Sequence, residues 1–159
     1  MLIASATWAA EWATWGLIGL WLSAFLAGGP LPFPSEVTLV ALLEAGASPW
    51  LCCGVATCGN VVGAALIYGV GRGIARGGRL GERLEARYAE DPERMERARA
   101  QVDRWGSPIM ILAWVPIVGD VFVLAGGLAR VPFLPALAWL TLGKGARYAL
   151  VAWTFLQVR

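Results

Sequence analysis

Lys144 is the only lysine in the chain, and it stands in the middle of an otherwise apolar run, residues 132–156. Arg147 follows three residues later, so both cations fall on one helical face. A charge at the centre of a spanning helix costs roughly 2.5–3.5 kcal/mol on insertion scales. Such a group faces a partner or a watery pathway. The carboxylates able to meet it are Glu36 and Asp120, each just after a proline-broken apolar stretch, and Asn60 lies at the centre of another apolar run. This set suits anion binding and proton movement. Arginine grips a phosphate as a fork and lysine as a point charge, while a carboxylate beside them can titrate as a gate. Two acids and two cations also sum to zero, so mutual pairing is tolerable in a medium of low dielectric constant.

These residues need elements that hold them at membrane depth. The chain has 159 residues, is 58% hydrophobic and only 15% charged, against about a quarter charged in a soluble domain. Mean hydropathy is +0.62. The composition indicates an all-α polytopic membrane protein. Residues 12–35 and 45–71 carry no charge at all. The basic start of a cleavable signal peptide is missing, so the first apolar segment, 8–28, is expected to remain as structure. Its Trp8, Trp12 and Trp15 follow helical spacing and suit the bilayer interface.

Charge is concentrated in residues 72–104, where nine arginines face seven acids. The arginine excess predicts a cytoplasmic loop. Interleaved acids argue against a nucleic-acid partner. Cys52, Cys53 and Cys58 lie in an apolar window without any histidine, which reads as packing rather than as a metal or redox site. No cofactor is expected.

Along the chain, Pro30, Pro32 and Pro34 stop the first helix, and Ser35 or Glu36 starts a second, about 36–47, too short to cross the hydrocarbon. Ser35 reads as its cap. Residues 49–71 are long enough to span, with Gly59 and Gly63 as a small-residue packing face. The glycines at 69, 71 and 73 read as a helix end rather than a nucleotide loop. Asp91-Pro92-Glu93 starts an amphipathic helix with Met95, Ala98, Val102 and Trp105 on one stripe, expected to lie on the cytoplasmic membrane surface. Residues 109–129 return to the membrane, broken between Pro116 and Gly119. Residues 132–156 form the last span. Glu44 and Arg72 read as interfacial, and Glu11 as solvent-facing.

Two halves emerge: 1–72, with its span at 49–71, and 106–159, with its span at 132–156, joined by an arginine-rich linker, 73–105. Glu36 and Asp120 are 84 residues apart, as are Gly59 and Gly143, and Asn60 and Lys144. Broken backbone at membrane depth must line protein or water. Two such breaks entering from opposite faces predict an inverted-topology repeat with two re-entrant hairpins. Short helices starting at the breaks would offer their positive N-terminal ends to an anion.

Three motifs carry a family resemblance. They are Pro32-Phe-Pro34-Ser35-Glu36-Val, the run from Gly59-Asn60-x-x-Gly63 to Tyr68-x-x-Gly71-Arg72, and Pro116-Ile-Val-Gly119-Asp120 through Ala125-Gly126. Together they resemble the DedA (VTT-domain, SNARE-associated-like) integral membrane proteins over about residues 14–155. Trp114 to Asp120 and Gly143-Lys144-Gly-Ala-Arg147-Tyr148 resemble its small YqaA-type branch. The resemblance implies two re-entrant hairpins, a bacterial inner-membrane location and movement of phosphate-headgroup lipids, with proton coupling suspected. Glu36 matches the family's first-hairpin acid. Larger members place arginines around the second-hairpin proline, where this chain has Ala113 and Gly119 and sets its cations at Lys144 and Arg147.

The leading expectation is a flippase or scramblase passing an anionic headgroup between the hairpin tips. The alternatives are a proton- or cation-coupled transporter of a small solute, or a non-transport membrane-assembly protein with locked bridges. An enzyme is not expected, because no serine pairs with a recognisable base; a Ser35–Lys144 dyad is the nearest approach. The partners implied are membrane lipids with anionic phosphate headgroups. A homo-oligomer is left open.

Overall fold

The computed structural model describes residues 2–29, 33–77, 92–115 and 118–158, and among these every regular element is helical. Helix α1 (Leu2–Gly28) leads to α2 (Ser35–Glu44) and then α3 (Pro49–Arg76). After the linker come α4 (Pro92–Trp105), a 3-10 helix η1 (Ser107–Trp114), α5 (Val118–Leu128) and α6 (Phe133–Val158). Pro30, Pro32, Pro116 and residues 78–91 of the arginine-rich linker, with the Asp91 cap, lie outside the described residues.

Length separates the elements. At about 1.5 Å per residue α3 and α6 reach about 42 and 39 Å, whereas α2 and α5 reach about 15–17 Å. Among the described residues α3 is the helix both long and apolar enough to cross a bilayer by composition. Residues 132–156, expected as a second span, form most of α6. It has the length, but Lys144, Arg147 and Tyr148 dilute its apolar run. The exposed face of α6 is nonetheless apolar, with Leu142, Leu150, Trp153 and Leu156 uncovered, as are Leu51, Val62 and Leu66 on α3. Patches this continuous are rare on soluble monomers.

Helix α3 is the hub. It packs against α1, α2, α5 and α6, while α2 rests on α6, and η1 packs on α6 and α5. The approach to α1 is backbone to backbone: a Cβ on Gly59 would strike the Trp21 carbonyl, and one on Gly63 the Phe25 carbonyl. Without hydrophobic drive inside lipid, this close fit is what holds helices together. Gly143 on α6 receives the Ile111 carbonyl of η1 in the same manner. As a 3-10 helix the eight residues of η1 cover about 16 Å, where an α-helix would cover about 12 Å.

Three expectations need correction. Helix α3 does not end at the 69–73 glycines but runs to Arg76, stopped by Gly77 at φ 74°. Gly71 is spent on packing against the α5 backbone. The stripe on α4 does not lie open to the membrane surface: Ala98 and Val102 are buried in the protein core with η1 and α5, and Met95 packs on it. Trp105 alone stays exposed, with Arg104 stacked on its ring. Helix α1 begins at Leu2 rather than near residue 8.

The interior holds two apolar clusters. One gathers Ala64, Ile67, Val102, Met110, Val123 and Leu140. The other gathers Leu20, Ala24, Leu39, Leu43, Cys52 and Ala152. The polar centres lie at the seam between them. Asn60 follows Ala56 of one cluster and precedes Ala64 of the other, and Lys144 stands between Leu140 and Tyr148 in the same way.

Candidate functional site

Helix periodicity places the site. The buried face of α6 reads Ala136, Leu140, Lys144, Tyr148, Ala152, one residue per turn. Lys144 therefore points inward by the spacing that buries its apolar neighbours. It is 4% exposed, near the middle of α6. Asn60 occupies the equivalent inward position on α3 and is 3% exposed.

Two adjacent residues of α6 grip two adjacent residues at the start of α2. Arg147 is ion-paired and hydrogen-bonded to Glu36 through Nη2 and Oε1. The Tyr148 hydroxyl lies 2.8 Å from Ser35 Oγ and accepts a hydrogen bond of 2.9 Å from Asn60 Nδ2. One phenol oxygen thus ties α2, α3 and α6 together. Ser35 is fully buried and makes no capping bond; Pro34 occupies the cap position and Ser35 is the first helical residue. Its reading as a cap is therefore wrong, and its hydroxyl partner is a tyrosine rather than Lys144.

The charges do not pair as two couples. Among the described residues the ion pairs are Glu36–Arg147 and the exposed Glu93–Arg97. Asp120, half-buried in the first turn of α5, forms none, although Lys144 and Arg147 both act on it electrostatically. Lys144 in turn feels Asp120, Arg147 and Glu36, yet its ammonium donates none of the side-chain hydrogen bonds found among the described residues. The structure thus brings together Glu36, Arg147 and Asn60, the last through Tyr148, with Asp120 and Lys144 in electrostatic range. Of the predicted breaks, Pro34 and Gly119 flank the starts of α2 and α5, and Gly119 packs against Ala113 of η1.

Sequence reasoning missed Tyr148 and Ser35 as members of this cluster. Buried spacing from Lys144 would have pointed to Tyr148, but its partners lie 113 and 88 residues away. Arg72 is also more engaged than an interfacial residue, donating to the Tyr68 hydroxyl at 2.8 Å and to the Val131 carbonyl at 3.2 Å. The cysteines are free: Cys52 is buried and Cys53 lies against the Tyr148 carbonyl, while Cys58 is exposed. No grouping among the described residues could hold a metal ion.

Comparison with known proteins agrees with the residue-level resemblance. The VTT-domain family model matches residues 33–156. The chain is 36% identical over 137 residues to inner membrane protein YqaA of Escherichia coli (strain K12), spanning 86% of this chain and 88% of that protein. The protein of the same name in Shigella flexneri gives the same figures. A Haemophilus influenzae protein is 33% identical over 160 residues, spanning 92% of this chain and 90% of its own length. No solved structure matches. With the family model matching residues 33–156 and a relative 36% identical over most of both chains, this chain belongs to the VTT-domain (DedA) family of membrane proteins.

Proposed function

We propose that the protein is a flippase or scramblase of phosphate-headgroup lipids in the bacterial inner membrane. The single observation that carries this reading is Lys144, an almost fully buried cation at mid-helix with no ion-pair partner among the described residues. Evolution tolerates a charge in hydrocarbon when it faces a partner or pathway, and a lipid phosphate is a partner of matching sign and reach. The inner-membrane relatives support the location, and the arginine excess of 72–104 favours the cytoplasmic side for that loop.

The two short helices fit a re-entrant pair. Contacts of α1 with α3, and of α2 with α6, have counterparts in η1 with α6, and α5 with α3. That exchange of partners is what an inverted repeat would require. Each short helix carries an acid in its first turn, Glu36 or Asp120, near its positive end. Protonating Glu36 would release Arg147, whose fork could then hold a phosphate beside Lys144. The headgroup would pass between the α2 and α5 tips while its acyl chains stay in lipid.

Purified protein in proteoliposomes should move an acyl-labelled phospholipid or a polyprenyl phosphate between leaflets, faster when a proton gradient is imposed. Glu36→Ala and Lys144→Ala should each abolish the acceleration. Unchanged rates in both variants would overturn the assignment of the site.

A further inference from the structure

Asn60 and Lys144 are two buried side chains whose polar atoms lack complementary partners among the described residues. Asn60 Nδ2 is engaged by Tyr148, but Oδ1 meets no donor. A buried acceptor left bare loses its water without replacement, which selects against such an atom unless something visits it. Lys144 and Tyr148 stand one helical turn apart on the buried face of α6, and Asn60 reaches the same Tyr148 from α3. The seam therefore offers three N–H donors with a positive charge on one side of Tyr148 and a vacant amide acceptor on the other helix that Tyr148 joins. An anion with no hydrogen of its own would satisfy only the first. A phosphate ester carrying its own N–H or O–H satisfies both.

We propose that Asn60 Oδ1 is a headgroup subsite. It accepts a hydrogen bond from an N–H or O–H that the ligand carries beyond its phosphate, while Lys144 holds the phosphate oxygens. The inference rests on the lipid-transport reading and adds the substrate class: phosphate esters with donor-bearing headgroups, of the ethanolamine or glycerol kind, over choline-type headgroups that have no donor. The competing occupant of Oδ1 is a water molecule, and a water would confer no headgroup preference.

The test compares two acyl-labelled lipids of identical chains in proteoliposomes of neutral and anionic phospholipid. One carries an N,N-dimethylethanolamine headgroup, with one N–H, and the other choline, with none; they differ by a single methyl. The N–H lipid should cross about tenfold faster, the size expected for one hydrogen bond from a charged donor. In Asn60→Ala that ratio should collapse toward one. Equal rates in the wild-type protein would overturn the subsite and leave lipid transport standing, and this arm needs no variant to fold. A preference that survives Asn60→Ala would overturn it too. No movement of either lipid would overturn both readings. Soluble phosphoethanolamine separates the sources: inhibition of the wild type identifies a free phosphate ester as ligand, and its absence with the tenfold ratio intact identifies the whole lipid. Either supports the subsite.

Discussion

The two halves carry the same outline and close it differently. Each has a short helix with an acid in its first turn and a long helix with a glycine followed by a polar centre: Gly59-Asn60 in one and Gly143-Lys144 in the other. Each glycine takes a carbonyl of the preceding limb, from Trp21 or from Ile111. The first acid, Glu36, is bound to Arg147 of the other half. The second, Asp120, has no ion-pair partner among the described residues, and neither has Lys144. The first acid is bridged across the halves to Arg147, whereas Asp120 and Lys144 of the second half stand without a bridge among the described residues. Packing alone gives no reason for a buried cation at Lys144 where the other half has Asn60, and this difference is what the proposed lipid site rests on.

The largest effect that would test this contrast comes from the two cations. Lys144→Met should cut lipid movement about 10- to 100-fold, the loss expected when a charge-assisted contact goes. It should not lower thermal stability, because an apolar side chain of similar size removes a buried charge that no bridge offsets. Arg147→Met should instead destabilise, since it strands Glu36. Thermal unfolding of both variants in nanodiscs, alongside transport, checks the pair. A strong destabilisation by Lys144→Met would mean that the lysine is bridged after all, and the contrast between halves would fail.

The acids supply a smaller version of the same contrast. Glu36→Gln breaks an ion pair whose side chains are 29% and 26% exposed, so water screens part of the loss. About 1–2 kcal/mol is expected, below the range for a fully buried pair. Asp120→Asn removes a charge that no described cation bridges and should leave the unfolding midpoint nearly unchanged. Equal losses from the two substitutions would equalise the halves. A Glu36→Arg/Arg147→Glu double variant should recover stability lost in either single change if the bridge itself is what matters.

Much of this arrangement could be read from residue order, for reasons that differ by feature. Proline clusters and glycine spacing mark helix limits locally, so the short α2 and the spanning α3 were foreseeable. Inward-facing Lys144 and Asn60 follow from periodicity alone. The Glu36–Arg147 pairing was one of several couples that charge balance allowed, and choosing among them takes distance. The 3-10 form of η1 was not legible, because an apolar segment starting Ser107-Pro108 looks the same for either helix type. Nor was the burial of the α4 stripe, since an amphipathic helix has one apolar face whether lipid or protein covers it. The role of the 69–73 glycines was misread: glycine ends helices through its backbone freedom but also admits a neighbouring backbone, and only the position of α5 decides between them.

The finest contrast, down to the smallest single loss, at Tyr68, separates two tyrosine hydroxyls. The Tyr148 hydroxyl serves Ser35 and Asn60, both buried, and neither has another side-chain partner among the described residues. The Tyr68 hydroxyl donates to the Val131 carbonyl and accepts from Arg72, which reaches the same carbonyl directly. Tyr148→Phe therefore leaves a serine and an amide unsatisfied and should cost about 1–3 kcal/mol. Tyr68→Phe leaves Val131 still bonded and Arg72 half-exposed, and should cost about 1 kcal/mol or less. Chemical or thermal unfolding of the two variants measures the gap directly. If Tyr68→Phe proves the more damaging, the clasp between α3 and the α5–α6 turn outweighs the polar seam in holding the halves together, and Tyr148 is an ornament of packing rather than the joint of α2, α3 and α6.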